Sequence, residues 1–133
     1  MRVPMRSLDA VVDQPIERAE EAMRVALAAQ GFGVLTEIDV AATFEAKLGV
    51  TVPPLKILGA CNPALAHRAL EIDPTVALVL PCNVVLRGEG PRTSISIADP
   101  RELMDEPAFA ELAAEAAHRL ETALGSLDDD VTR

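Results

Sequence analysis

The sequence predicts an α+β domain: a mostly antiparallel sheet with helices packed on one side. Three observations predict it. Apolar residues switch between the two-residue period of strands and the longer period of helices, in the order strand, helix, strand, helix, strand, helix. A hairpin pattern then follows, and a hairpin requires antiparallel pairing. A long amphipathic helix closes the chain, able to cover one face of such a sheet. Because the first half alternates strand and helix, a doubly wound parallel α/β sheet is the competing arrangement. A length of 133 residues suits one core, and we expect a single domain over residues 1–125 followed by an acidic tail over 126–133.

The elements follow in order. Val3 to Val12 reads as a strand, and Asp13-Gln14-Pro15 is a helix entry, since proline costs nothing in the first turn. Ile16, Ala19, Met23, Ala26 and Leu27 then recur at helical steps until Gly31, which supplies a left-handed cap. Phe32 to Ile38 is rich in large and β-branched apolar residues and is expected inside the sheet. Asp39 caps a short helix with a face of Val40, Phe44 and Leu48, ended by Gly49. Lys56 to Cys61 is the next strand. Asn62 as cap and Pro63 as first residue then open a helix of about two turns.

Thr75 to Leu86 is the most apolar segment, and Gly88-Glu89-Gly90-Pro91 separates it from Arg92 to Ala98, which suits a hairpin. Pro81 lacks the N–H a central strand needs, so this arm is expected at an edge, at a bulge, or docked on another subunit. Asp99-Pro100 leads into a turn over Arg101 to Asp105. Glu106-Pro107 opens the last helix, whose stripe is Phe109, Leu112, Ala113, Ala116, Leu120, Ala123 and Leu124 and whose expected end is Gly125. Ser94 and Ser96 alternate with Ile95 and Ile97, placing them on an outer face.

Charge narrows the function. With 21 acidic and 12 basic side chains the net charge is −9, and 10 of those acids lie in residues 99–133. Such a chain repels phosphate, and without Tyr or Trp it has few stacking surfaces, so nucleic acid is an unexpected partner. The uncharged stretch from Pro74 to Leu86 is shorter than the ~20 residues that cross a bilayer, so no membrane partner is expected. Nothing at the N-terminus resembles a secretory signal. A cytoplasmic chain with reduced thiols at Cys61 and Cys82 is the expectation.

No glycine-rich phosphate loop, dinucleotide fingerprint or nucleophile elbow is present, so the sequence names no cofactor and no catalytic class. Asp128 to Asp130 read as a solvated run. Neither the Cys61 to His67 spacing nor the Cys61 to Cys82 spacing suits structural zinc, and no metal site is expected.

The chemically interesting corner is Cys61. It stands immediately before a helix N-terminus, whose free N–H groups stabilise a thiolate or a bound anion. His67 follows on that helix. Cys61-Asn62-Pro63 is echoed in Pro81-Cys82-Asn83, which suggests that the two segments meet at one pocket; a buried Asn83 would then need a partner. The expected border of that pocket is Gly59, Cys61, Asn62, Pro63, His67, Pro81, Cys82 and Asn83. Three functions are compatible: a small domain binding an anionic or thiol-reactive ligand; a thiol enzyme with Cys61 as nucleophile and His67 as base; or an interaction module with Pro81 marking a dimer strand.

Four blocks carry a further signal: Gly-Phe-Gly-Val-Leu-Thr-Glu-Ile-Asp at 31–39, Lys-Ile-Leu-Gly-Ala-Cys-Asn-Pro at 56–63, Leu-Pro-Cys-Asn-Val at 80–84 and Ser-Ile-Ala-Asp-Pro at 96–100. In this order they resemble the domain of unknown function 302 family. The resemblance implies a compact α+β domain that pairs as a homodimer, and it implies no settled activity.

Overall fold

The computed structural model describes the backbone of residues 6–131 and the side chains of residues 6–127. The expected strand over Val3 to Met5 and the side chains of Asp128 to Asp130 therefore lie outside the described residues.

Five strands form one sheet in the order β1-β5-β4-β3-β2: β1 (Ser7–Val12), β2 (Gly33–Asp39), β3 (Leu55–Cys61), β4 (Cys82–Glu89) and β5 (Arg92–Ala98). Every neighbouring pair is antiparallel, which rules out the doubly wound alternative. The helices are α1 (Ile16–Ala29), α2 (Val40–Leu48), α3 (Pro63–Ile72), the single turn α4 (Pro100–Leu103) and α5 (Ala110–Val131).

The core follows from strand alternation. Leu8, Val12, Leu58, Ala60, Val84, Leu86, Ile95 and Ile97 share the sheet's inner face and pack on Met23 and Leu27 of α1 and Leu120 and Leu124 of α5. The register places Asp9, Ser96, Val85, Ile57 and Ile38 in one row on the other face, where none is fully buried. Two-layer packing with helices on one side is the result.

Local capping works as the sequence predicts. Asp39 accepts from the Ala42 N–H, and Gly49 takes the left-handed cap at φ 65°. Gly90, at φ 66°, makes the tight turn between β4 and β5.

Four expectations are corrected. Thr75 to Leu86 is not one strand, because Asp73 caps Thr75 and starts a 3-10 turn over Pro74–Val79; the strand begins only at Cys82. The β4 strand is central rather than an edge, and Pro81 lies just outside it after a cis Leu80–Pro81 bond, so no ladder N–H is missing. The β2 strand, expected inside, is an edge: a bulge between Val34 and Thr36 turns Leu35 outward, and only Val34 reaches the core. Gly125 does not end α5. The helix runs on to Val131, since Leu124 and Leu127 on either side of the glycine are buried and outweigh its cost of about 1 kcal/mol.

Candidate functional site

The site is assembled from chain segments far apart in sequence. Cys61 is the last residue of β3, and Asn62 turns the chain into α3. Asn62 is 8% exposed and its amide is bonded at both ends: its oxygen accepts from the Leu65 N–H at 3.2 Å, and its nitrogen donates to the Gln30 carbonyl at 3.3 Å. Arg119 of α5 donates to the same carbonyl at 3.2 Å, so the end of α1, the start of α3 and the middle of α5 are tied at one point.

Cys82 opens β4 opposite Ala60, and Cys61 is the next residue after Ala60 along β3. Both cysteines are free and partly buried. They line one small apolar hollow of about 30 Å³. Its walls include Phe32, Leu65, Met104 and Leu112, and no Asp, Glu, Lys, Arg or His contributes. Burial, with the nearby Cys61 as a smaller contribution, pushes the Cys82 thiol up from the ordinary 9.0 to about 11.

Gly59 explains how Cys82 reaches this position. A Cβ there would collide with Thr36 Oγ1 and stand 2.8 Å from Pro81 Cγ, so the missing side chain leaves room for the Pro81 ring against β3. Pro81 is accounted for by contact within its own chain, and the idea that it marks a dimer strand loses its motive. Met104 arrives from another direction. Asp99, 2% exposed, caps α4 through the Arg101 N–H at 2.9 Å, and the Met104 N–H closes that turn on the Pro100 carbonyl at 2.9 Å.

The predicted border divides accordingly. Cys61, Asn62 and Cys82 line the hollow. Gly59 and Pro81 brace it from behind. Pro63 and Asn83 are exposed and outside the lining; Asn83 alternates with Cys82 along β4, faces the opposite side and needs no buried partner. His67 is also outside the lining. Its side chain is 76% exposed and its Nδ1 faces Glu71 at 3.8 Å, because a position four residues beyond Pro63 falls on the solvent side of α3. The structure does not bring it to Cys61. His118 is exposed, and Glu115 pairs with Arg119 at 3.1 Å along α5.

Sequence reasoning missed Phe32, Leu80, Met104 and Leu112 as wall residues. The stripe of α5 signals that Leu112 is buried; nothing local signals against what. Among the described residues no cluster of three or more His, Cys, Asp or Glu is placed to hold a metal ion, and no helix is long and apolar enough to cross a membrane.

Comparison with known proteins agrees with this architecture. The family model described as "Domain of unknown function DUF302" matches residues 9–127. The crystal structure of an uncharacterized conserved protein DUF302 from Bacillus stearothermophilus is similar, with 31% sequence identity and a TM-score of 0.82 over 90% of this chain and 95% of that one. No curated protein matches the chain. With nearly the whole core inside the matched span, the chain belongs to the DUF302 family of domains of unknown function.

Proposed function

We propose that this chain is a small homodimeric binding domain of the cytoplasm, whose hollow at Cys61 and Cys82 takes a small thiol-reactive ligand. The observation that carries the reading is that two cysteines from separate strands line one apolar cavity. Of the two ligand chemistries the sequence allowed, the thiol-reactive one is the better supported. No cationic side chain faces the hollow, and the Leu65 N–H at the start of α3 is already engaged by Asn62. The thiol-enzyme alternative loses its motive with His67 turned to solvent, since no other base lines the cavity.

Pairing is supported by the sheet's second face. Val11 and Ile38 are about half exposed there, and no residue of α2 is buried, leaving Phe44 and Leu48 in water. Arg87 and Asp9 lie on this same face in the strand alternation, and neither has an ion-pair partner among the described residues. A two-fold arrangement can set Arg87 of each copy against Asp9 of the other, as an isologous interface requires.

Native mass spectrometry after brief treatment with iodoacetamide at pH 8 tests both parts. The expected species is a dimer carrying one adduct per chain, at Cys61. Cys82, with its thiol pushed up to about 11 by burial, reacts roughly a hundredfold more slowly than an ordinary cysteine. A monomer at micromolar concentration removes the pairing. An unmodified chain, or one modified first at Cys82, removes the pocket reading.

A further inference from the structure

We infer that an open hollow between the first turns of α1 and the C-terminal part of α5 is a site for a small amphipathic monocarboxylate, its head on Arg18 and its apolar body against Ala19, Ala22 and Leu127. This goes beyond the reading above, because the hollow shares no lining residue with the one at Cys61.

Size is the first argument. The hollow holds about 500 Å³, within the roughly 300–1,000 Å³ of small-molecule sites, whereas the cysteine hollow holds about 30 Å³. Its existence follows from the sequence. Helical spacing turns positions 18, 22 and 25 of α1 to one side, and the small side chain of Ala22 leaves space between that side and Leu127. The floor is apolar: Val12, Ala19 and Leu127 are at most 3% exposed. Val25, on the rim, is 72% exposed, and an apolar body in the hollow covers it.

The polar rim selects the head group. Arg18 and Gln14 border the hollow, and neither side chain has a hydrogen-bond or ion-pair partner among the described residues. Arg24, further along the same helix, is by contrast held by Glu20 at 3.0 Å and Glu37 at 2.7 Å. A guanidinium and an amide N–H both donate, and a carboxylate has two oxygens to accept from them. The Gln14 carbonyl accepts from the buried Thr93 hydroxyl at 2.8 Å, which fixes the backbone at this end of the site. Glu21 also borders the hollow and opposes a second negative charge, so phosphate and dicarboxylates are disfavoured. The net charge of −9 acts in the same direction.

Head and body are ordered along the helix. From Arg18 to Val25 the rise along α1 is about 10 Å, so a chain with its carboxylate at Arg18 runs over Ala22 toward Val25.

The test titrates the isotope-labelled full chain with sodium decanoate and follows the backbone amides by two-dimensional NMR. One saturable site per chain is expected, with the largest shifts between Gln14 and Val25 and at Leu127. Arg18→Gln is expected to weaken binding by roughly tenfold, and Ala22→Phe, which fills the hollow, to abolish it. Decyltrimethylammonium carries the same chain under a positive charge and is expected to bind at least roughly tenfold more weakly. The spectrum of each free variant establishes that it is folded; Arg18 is exposed, so its variant tests the site even if Ala22→Phe does not fold. No saturable shift with decanoate overturns the site, as does undiminished binding by folded Arg18→Gln or Ala22→Phe. Shifts centred on Phe32 and Cys82 put the acid in the cysteine hollow and overturn the assignment to α1. Equal affinity for the ammonium probe overturns the carboxylate head group.

Discussion

Replacing Gly59 with alanine is expected to destabilise the protein by about 3 kcal/mol, at the upper end of what overpacking costs. The added Cβ would overlap Thr36 Oγ1 and approach Pro81 Cγ to 2.8 Å. Thr36 can rotate its hydroxyl away at modest cost, but the proline ring has no comparable freedom. Nor can β3 retreat, because it is hydrogen-bonded to β2 on one side and β4 on the other. The loss should appear as a lower urea midpoint with an unchanged slope. Gly125→Ala is the internal contrast. It sits in a helix with no heavy atom within 4 Å of the new Cβ, so it should stabilise by up to about 1 kcal/mol. Equal effects at the two positions would contradict the packing assigned to Pro81.

The second large effect is a fall in stability at alkaline pH that belongs to Cys82. Its folded thiol titrates at about 11 against an ordinary 9.0, so the folded state holds a proton that the unfolded chain releases. Below pH 9 both states are protonated and the full stability is present. Between pH 9 and 11 only the unfolded thiol ionises, and stability drops by about 1.4 kcal/mol per pH unit, roughly 3 kcal/mol in all, before levelling off. Lys56, held between Glu20 and Glu37 with its pKa raised, adds a loss of its own above 10.5. The difference between wild type and Cys82→Ala isolates the thiol. Urea midpoints at pH 8, 9, 10 and 11 should converge for the two proteins as pH rises, apart from a constant cavity cost. Parallel curves would show that Cys82 is as accessible to water in the fold as outside it.

Much of the fold is legible in the sequence because its signals are local. Asp39, Asn62 and Asp99 each accept from a backbone N–H within three residues, and Pro63 and Pro100 stand where a helix tolerates them. The hairpin at Gly90 is equally local. What escaped the reading depends on contacts between distant residues. The apolar run over Pro74 to Val79 has the composition of a strand, and only the Asp73 cap diverts it into a 3-10 turn. The same holds for β2, where apolar content suggested an interior strand and the strand order, set by distant pairing, leaves it at the edge.

The site divides along the same line. Cys61 is legible because strand end, cap and helix start are contiguous. That Cys82 borders the same hollow is hinted at by the repeated Cys-Asn pair, yet Asn83 itself faces the other way because neighbouring strand residues alternate. Met104 carries no local mark; its place depends on α4 packing against α5, which in turn packs against α3. His67 drew attention by nearness in sequence, and helical periodicity carried it to solvent.

The proposed function requires the Cys61 and Cys82 thiols to open on one hollow. A trivalent monoaryl arsenical stays bound only where two thiols reach it together, so uptake by the folded, reduced chain is the direct measurement. One arsenical per chain is predicted, lost in Cys61→Ser and in Cys82→Ser alike. Uptake that appears only after unfolding in urea would show that the native structure keeps the two sulfurs apart.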